Sequence, residues 1–206
     1  GAVRHHGYIP WDDDVDIDIM REDYYRLEEL INQDEELVMH RYYKYMFQGE
    51  EAGYIPRIKL KDCSIFFIDL FPLDYISVDA GHEKEVWLQN EDLCREFSGK
   101  LIEIFHSHGI HYHGAESAKA NEELDAEVIP LEKEYLARFR EKFQKGDDES
   151  HFIRTVGNDS WLRTIYHIQR TEDYLPFEHE AVEFEGKQYD TFMNHDKIVR
   201  YQYGDY

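Results

Sequence analysis

The sequence predicts an α/β (α+β) domain, a mixed β-sheet flanked by helices, on three observations. From Asp14 to Ile19 acid and aliphatic residues alternate strictly, the period-two pattern of a half-buried strand. Ile65 to Phe71 is a nearly continuous apolar run closed by Pro72, as expected of a strand buried on both faces. Arg21 to Ile31, Glu83 to His108 and Leu131 to Lys145 carry apolar residues at helical spacing. A chain of 206 residues, 42 % hydrophobic and 15 % aromatic, is long and apolar enough for a substantial core and unlike a disordered chain. It reads as a single domain over 1–206, with a core at about 1–75 and a helical and C-terminal part at about 76–206.

Gly1 to Pro10 reads as a loop or helix end, with Gly7 and Pro10 as breakers. In the strand that follows, Val15, Ile17 and Ile19 are expected to face the core, and Asp14, Asp16 and Asp18 the other side. Same-face neighbours on a strand lie roughly 6.5–7 Å apart. Carboxylates so spaced can share a pair of divalent cations about 3.5–4 Å apart, the arrangement used for in-line phosphoryl displacement. Without cations the row repels itself. The alternative is an acidic solvated edge, but Asp has low strand propensity and edge protection usually employs one charge, often Lys. A calcium loop fails, because its sixth and twelfth positions hold Ile17 and Asp23 in place of Gly and Glu.

Arg21 to Ile31 has acids in its first turn and apolar residues at Tyr24, Leu27, Leu30 and Ile31, an amphipathic helix. Leu37 to Phe47 reads as a strand and Gln48 to Glu51 as a turn. Arg57 to Lys61 alternates again, with Arg57, Lys59 and Lys61 on one face. Beside the acidic strand these cations would hold a phosphate that the metals also touch; otherwise they form a solvated basic face. Asp69, alone in a buried apolar run, would be costly unpaired. A metal ligand or catalytic carboxylate is the economical explanation, ahead of a hydrogen-bonded core acid.

Glu83 to His108 is one long helix, or two broken near Gly99. His106, His108, His111 and His113 form either a zinc site or a polar helix end. Leu131 to Lys145 is a further helix, Gly146 to Ser150 an acidic break, and Trp161 to Gln169 a short helix. Ala181 to Tyr189 reads as a hairpin around Glu185-Gly186, followed by a short helix from His195.

The net charge of −22 excludes a general nucleic-acid binder, whose affinity comes from neutralising phosphates with Lys and Arg. A phosphate-bearing ligand would need metal ions or a local basic patch. Two cysteines, Cys63 and Cys94, make no disulfide framework and no CxxC metal spacing, so a reducing cytosol is the default. No apolar run approaches a membrane span, and nothing resembles a signal peptide. The chain begins at Gly1 without Met, as it would with an upstream segment removed or left out.

Gly1 to Ile17, reading Gly-Ala-Val-Arg-His-His-Gly-Tyr-Ile-Pro-Trp-Asp-Asp-Asp-Val-Asp-Ile, resembles the hallmark of the LicD family, which includes bacterial phosphocholine transferases and, distantly, fukutin and fukutin-related protein. Ile65 to Asp74 resembles the family's second motif, and Phe184-Glu185-Gly186 and Tyr203-Gly204-Asp205-Tyr206 its C-terminal motifs. The resemblance implies a nucleotidyltransferase-like mixed sheet flanked by helices. By it Asp14 and Asp16 would bind magnesium, or manganese, Asp69 would complete the carboxylate set and Asp12 would assist. It implies transfer of a phospho-alcohol group, phosphocholine first, from a CDP-linked donor such as CDP-choline to a sugar hydroxyl of a cell-surface glycan, teichoic acid or lipid-linked oligosaccharide precursor. Arg4, Arg57 and Lys59 are the candidates for holding phosphate oxygens. The expected location is the cytoplasm or, peripherally, the inner face of the membrane. The chain departs from the family in three places. It starts just after the family's Gly-Gly-Thr-Leu-Leu turn, it is short before Ser64, and Asp18 stands where many members have a small residue. Two alternatives stay open: transfer of a nucleoside monophosphate, and a non-catalytic binding module on a degenerate transferase fold.

Overall fold

The computed structural model describes residues 1–11, 14–46, 51–63, 65–111, 122–154, 168–174, 179–192 and 194–205. A one-turn helix α1 (Ala2–His5) precedes β1 (Asp16–Met20), which runs directly into α2 (Arg21–Ile31). Then come β2 (Leu37–Met46), β3 (Glu51–Leu60), β4 (Phe67–Ile76), α3 (Glu83–Ser107) and α4 (Glu122–Phe143). The chain continues with β5 (His151–Arg154), β6 (Gln169–Arg170), β7 (His179–Phe184), β8 (Lys187–Phe192) and α5 (His195–Tyr203).

The sheet is organised on β4, whose apolar residues let it pair along its whole length. It pairs antiparallel with β3 through Phe67 to Asp69 and antiparallel with β5 through Leu73 to Ile76. β1 joins it in parallel, Asp16 opposite Asp69 and Met20 opposite Leu73. The order is β2-β3-β4-β5-β6 with β1 added on β4, and β7–β8 forms a separate hairpin. Because neighbours across a sheet share a face and successive residues alternate, the two faces differ in chemistry. One carries Tyr43, Tyr45, Tyr54 and Ile76, which pack against Phe97, Leu101 and Phe105 of α3 and Val128 and Phe139 of α4. The other carries Asp16, Asp69 and Arg57.

Buried Tyr43 and Tyr45 are core residues with bonded hydroxyls. Tyr43 Oη donates to Asp125 at 2.5 Å and Tyr45 Oη to the Ile110 carbonyl at 2.7 Å, as buried phenols require. A second polar cluster lies at the α2–α4 boundary. Arg21 donates from Nε and Nη2 to Asp74 Oδ2 at 3.1 and 2.7 Å, and its Nη1 lies 3.6 Å from Glu132. Desolvation opposes the charge on Arg21, but the Asp74 and Glu132 carboxylates outweigh it and hold the guanidinium pKa above its ordinary range.

Several expectations need correction. Val15 and Ile17 are 44 % and 40 % exposed. Among the described residues β1 pairs with β4 alone, and the α3–α4 core packs on β2, β3, Ile76 and Ile153 instead. Ile65 and Phe66, 77 % and 71 % exposed, precede the strand. Pro72 does not close it, since β4 continues through Pro72, paired with Ile19, to Ile76. Leu30 is 66 % exposed, because at about 100° per residue it lies about 120° round α2 from buried Tyr24. β3 begins at Glu51, well before Arg57; Ala52 to Pro56 are buried in succession and so show no alternation. It does not neighbour β1, because β4 lies between, and Lys61 lies beyond it, its Nζ donating to the Asp34 and Glu35 carbonyls.

α4 starts nine residues before Leu131, where the helix was expected to begin, and contains Pro130. β5 and β6 were not expected; of the helix expected over Trp161 to Gln169, residues 161–167 lie outside the described residues, Ile168 is buried in the core without helical structure, and Gln169 is in β6, paired with Phe152. So do Phe47 and the turn over 48–50. The hairpin at Glu185-Gly186 does form. Both residues have positive φ, 50° and 71°, the backbone that a two-residue turn of this hand demands.

α3 is a single helix through Gly99, which is exposed and whose added Cβ would meet nothing within 4 Å. Gly99→Ala should therefore stabilise the protein by about 0.5–1 kcal/mol. Urea denaturation checks this, and an unchanged or lowered midpoint would show that α3 is not continuous there.

Candidate metal centre

The parallel register of β1 on β4 sets Asp16 beside Asp69, and the Asp69 N–H donates to the Val15 carbonyl at 2.9 Å. Asp14 falls on the same face two residues earlier. Asp14, Asp16 and Asp69 each offer an oxygen, and the three oxygens lie within 4.8 Å of one another. Asp69 is 2 % exposed, whereas Asp14 and Asp16 stand on the open side. The row thus has a closed floor and an accessible mouth. Three carboxylates with no nitrogen or sulfur donor among them suit a hard divalent cation.

On its other side Asp69 faces Arg57. Arg57 Nε donates to Asp69 Oδ1 at 2.5 Å and Nη2 to Oδ2 at 3.0 Å, a two-point fork. The guanidinium lies between two rings, 4.0 Å from the centroid of Tyr42 and 4.0 Å from that of Phe67. Lys59 is opposite Phe67 on the same face, and His40 is opposite Arg57. Arg57 and Lys59 of β3 therefore stand on the face that carries the acids, with β4 between them and β1, and His40 lies beyond them on β2.

Burial, then the positive charges of Lys59 and Arg57, depress the His40 pKa from 6.5 to about 4, against a smaller upward pull from Asp125. The unfolded chain takes up a proton on this imidazole near pH 6.5 and the folded one only near 4. Stability is therefore fully present above the unfolded value and falls with pH between the two. His40→Gln should flatten that part of the stability–pH curve measured in urea, and an identical slope in the variant would sink the assignment.

Asp18, the third acid of the row, is not in the cluster. It accepts from Arg154 Nη2 at 2.5 Å and Nε at 3.0 Å, and the Arg154 guanidinium lies 3.9 Å from the Phe71 centroid. The N-terminal segment is held by the distant hairpin. Glu185 N–H donates to the His6 carbonyl at 2.8 Å, and Tyr8 N–H to Glu185 Oε1 at 3.1 Å. A Cβ on Gly7 would lie 2.2 Å from that same oxygen, so only glycine fits while Glu185 stays in place. The Phe184-Glu185-Gly186 turn thus packs on the segment leading to the acid strand.

Arg4 is on α1, exposed, and Asp12 lies outside the described residues. The His106 and His111 rings lie 5.0 Å apart, tilted by 42°, and His108 shares a 2.7 Å hydrogen bond with Glu127. Among the described residues the three aspartates are the group with metal-ligand geometry; His113 is not described. Sequence reasoning missed Tyr42, Phe67, His40 and Arg154 around the acids. Only strand register brings them there, and no one-dimensional signal marks them.

Residues 1–116 match the family model described as LicD/FKTN/FKRP, nucleotidyltransferase domain, a stretch that includes the three aspartates, Arg57 and Lys59. An uncharacterized protein of Rickettsia prowazekii (strain Madrid E) is 57 % identical over 37 residues, covering 18 % of this chain and 14 % of that protein. No solved structure matches the chain significantly. Among the described residues no helix is long and apolar enough to cross a membrane.

Proposed function

The chain belongs to the LicD/FKTN/FKRP nucleotidyltransferase family, and from that premise we propose that it transfers a phospho-alcohol group, phosphocholine first, from a CDP-linked donor to a sugar hydroxyl. The acceptor is a cell-surface glycan, teichoic acid or lipid-linked oligosaccharide precursor, met in the cytoplasm or at the inner face of the membrane. Membership supports a transferase. The observation that carries the finer reading is the convergence of Asp14, Asp16 and Asp69 from two strands on one accessible point.

In this reading Asp14, Asp16 and Asp69 hold magnesium, or manganese. Bound divalent cations neutralise the diphosphate and the charge that builds on the attacking and leaving oxygens. Asp69 orients or deprotonates the acceptor hydroxyl from the floor of the site. The acceptor oxygen bonds to the phosphorus that carries the alcohol, the bond from that phosphorus to the CMP oxygen breaks on the opposite side, and CMP leaves. Lys59 and Arg57, on the strand beside Asp69, and Arg4 on α1 are the cations assigned to the phosphate oxygens. They offset the overall charge of −22, which repels an anionic donor.

Release of CMP from CDP-choline in the presence of magnesium, with a screen of CDP-ethanolamine, CDP-glycerol and CDP-ribitol, tests this. Pyrophosphate released from a nucleoside triphosphate would replace it with nucleotidyl transfer. Calorimetric silence with both magnesium and CDP-choline would replace it with a binding module.

A further inference from the structure

We propose that Arg57 is a placeholder cation: it occupies Asp69 while the site is without metal and gives it up when a divalent cation binds, which frees its guanidinium for an anionic oxygen. The inference rests on the metal reading above. Asp69 is the buried member of three crowded carboxylates, so its charge is the most costly to leave uncompensated. Arg57 meets both of its oxygens at once. A dication on that same carboxylate would repel the guanidinium strongly in a site of low dielectric, so the two cations compete for it.

The rings of Tyr42 and Phe67 make such an exchange feasible. Both touch the guanidinium near 4.0 Å. Attraction to a ring face is broad and sets no fixed direction within the guanidinium plane. Arg57 can therefore slide between the rings and keep that stabilisation when its hydrogen bonds to Asp69 are lost. Neighbouring His40, its pKa depressed to about 4, is neutral near pH 7 and does not take over as a second cation.

The test uses the full chain, nitrogen-15 labelled, and magnesium chloride alone. In the metal-free protein the Arg57 Nε–H resonance, identified by its loss in Arg57→Lys, should be protected from exchange. It should shift and lose protection as magnesium is added. Calorimetry should show Arg57→Met binding magnesium about tenfold tighter than the natural chain, by the reciprocity of linked equilibria. If magnesium binds but the resonance stays protected, and the Met variant binds equally or more weakly, Arg57 is a fixed support and the proposal is overturned while the metal reading stands. If the natural chain binds no magnesium, the metal reading falls and the proposal with it. Should Arg57→Met fail to fold, the titration of the natural chain decides alone.

Discussion

Asp16→Asn is expected to abolish transfer from CDP-choline while leaving the fold intact. Loss of a group that merely supports a metal ligand costs about 10–100-fold, and Asp16 is itself placed to ligate, so the loss should exceed that range. The same change removes one of three negative charges whose oxygens lie within 4.8 Å. In magnesium-free buffer the variant should therefore be as stable as the natural chain or more so, by up to about 1 kcal/mol. Stability and activity thus move in opposite directions, which a folding defect cannot imitate. Turnover retained by the Asn variant would remove Asp16 from the metal set.

Asp74→Ala should produce the largest loss of stability, about 3–5 kcal/mol, measured by chemical denaturation. Asp74 and Arg21 have side chains only 3 % and 5 % exposed and are joined by hydrogen bonds at 2.7 and 3.1 Å. Removing the carboxylate leaves a buried guanidinium facing Glu132 at 3.6 Å. The pair bridges the start of α2, strand β4 and helix α4, so its loss should loosen the packing behind the acid row. A domain of ordinary stability holds about 5–15 kcal/mol, and the variant would lose a large part of that. A change below about 1 kcal/mol would mean that the site relaxes or hydrates, and that the pair is not what fixes β4 to the helices. Asp74 lies within the stretch resembling the family's second motif, and the structure assigns it a packing role on the face opposite Asp69.

Much of the acid site was legible before any coordinates. Alternation around Asp14 and Asp16 and the isolation of Asp69 in an apolar run both reflect local chemistry: a charge recurring at period two, and a charge where burial forbids one without a partner. α2, the β7–β8 turn and the helix from His195 were likewise marked by local signals. Less was legible where local signals conflict with packing. Pro130 looks like a helix boundary but lies inside α4. Ala52 to Pro56 lack alternation because they are buried in succession. Val15 and Ile17 have a core pattern, yet no core covers them.

The sequence by itself determined the period-two row of aspartates and the lone acid of an apolar run, because identity and spacing along the chain are covalent facts. Only the tertiary structure decided their neighbours: Asp16 beside Asp69, Arg57 on Asp69 between Tyr42 and Phe67, Arg154 on Asp18, Glu185 against Gly7. Those pairings depend on register between strands and on contacts between segments up to 178 positions apart, as for Glu185 against Gly7. Side-chain period two gives each strand its two faces, but it does not say which strand lies alongside, or at what offset.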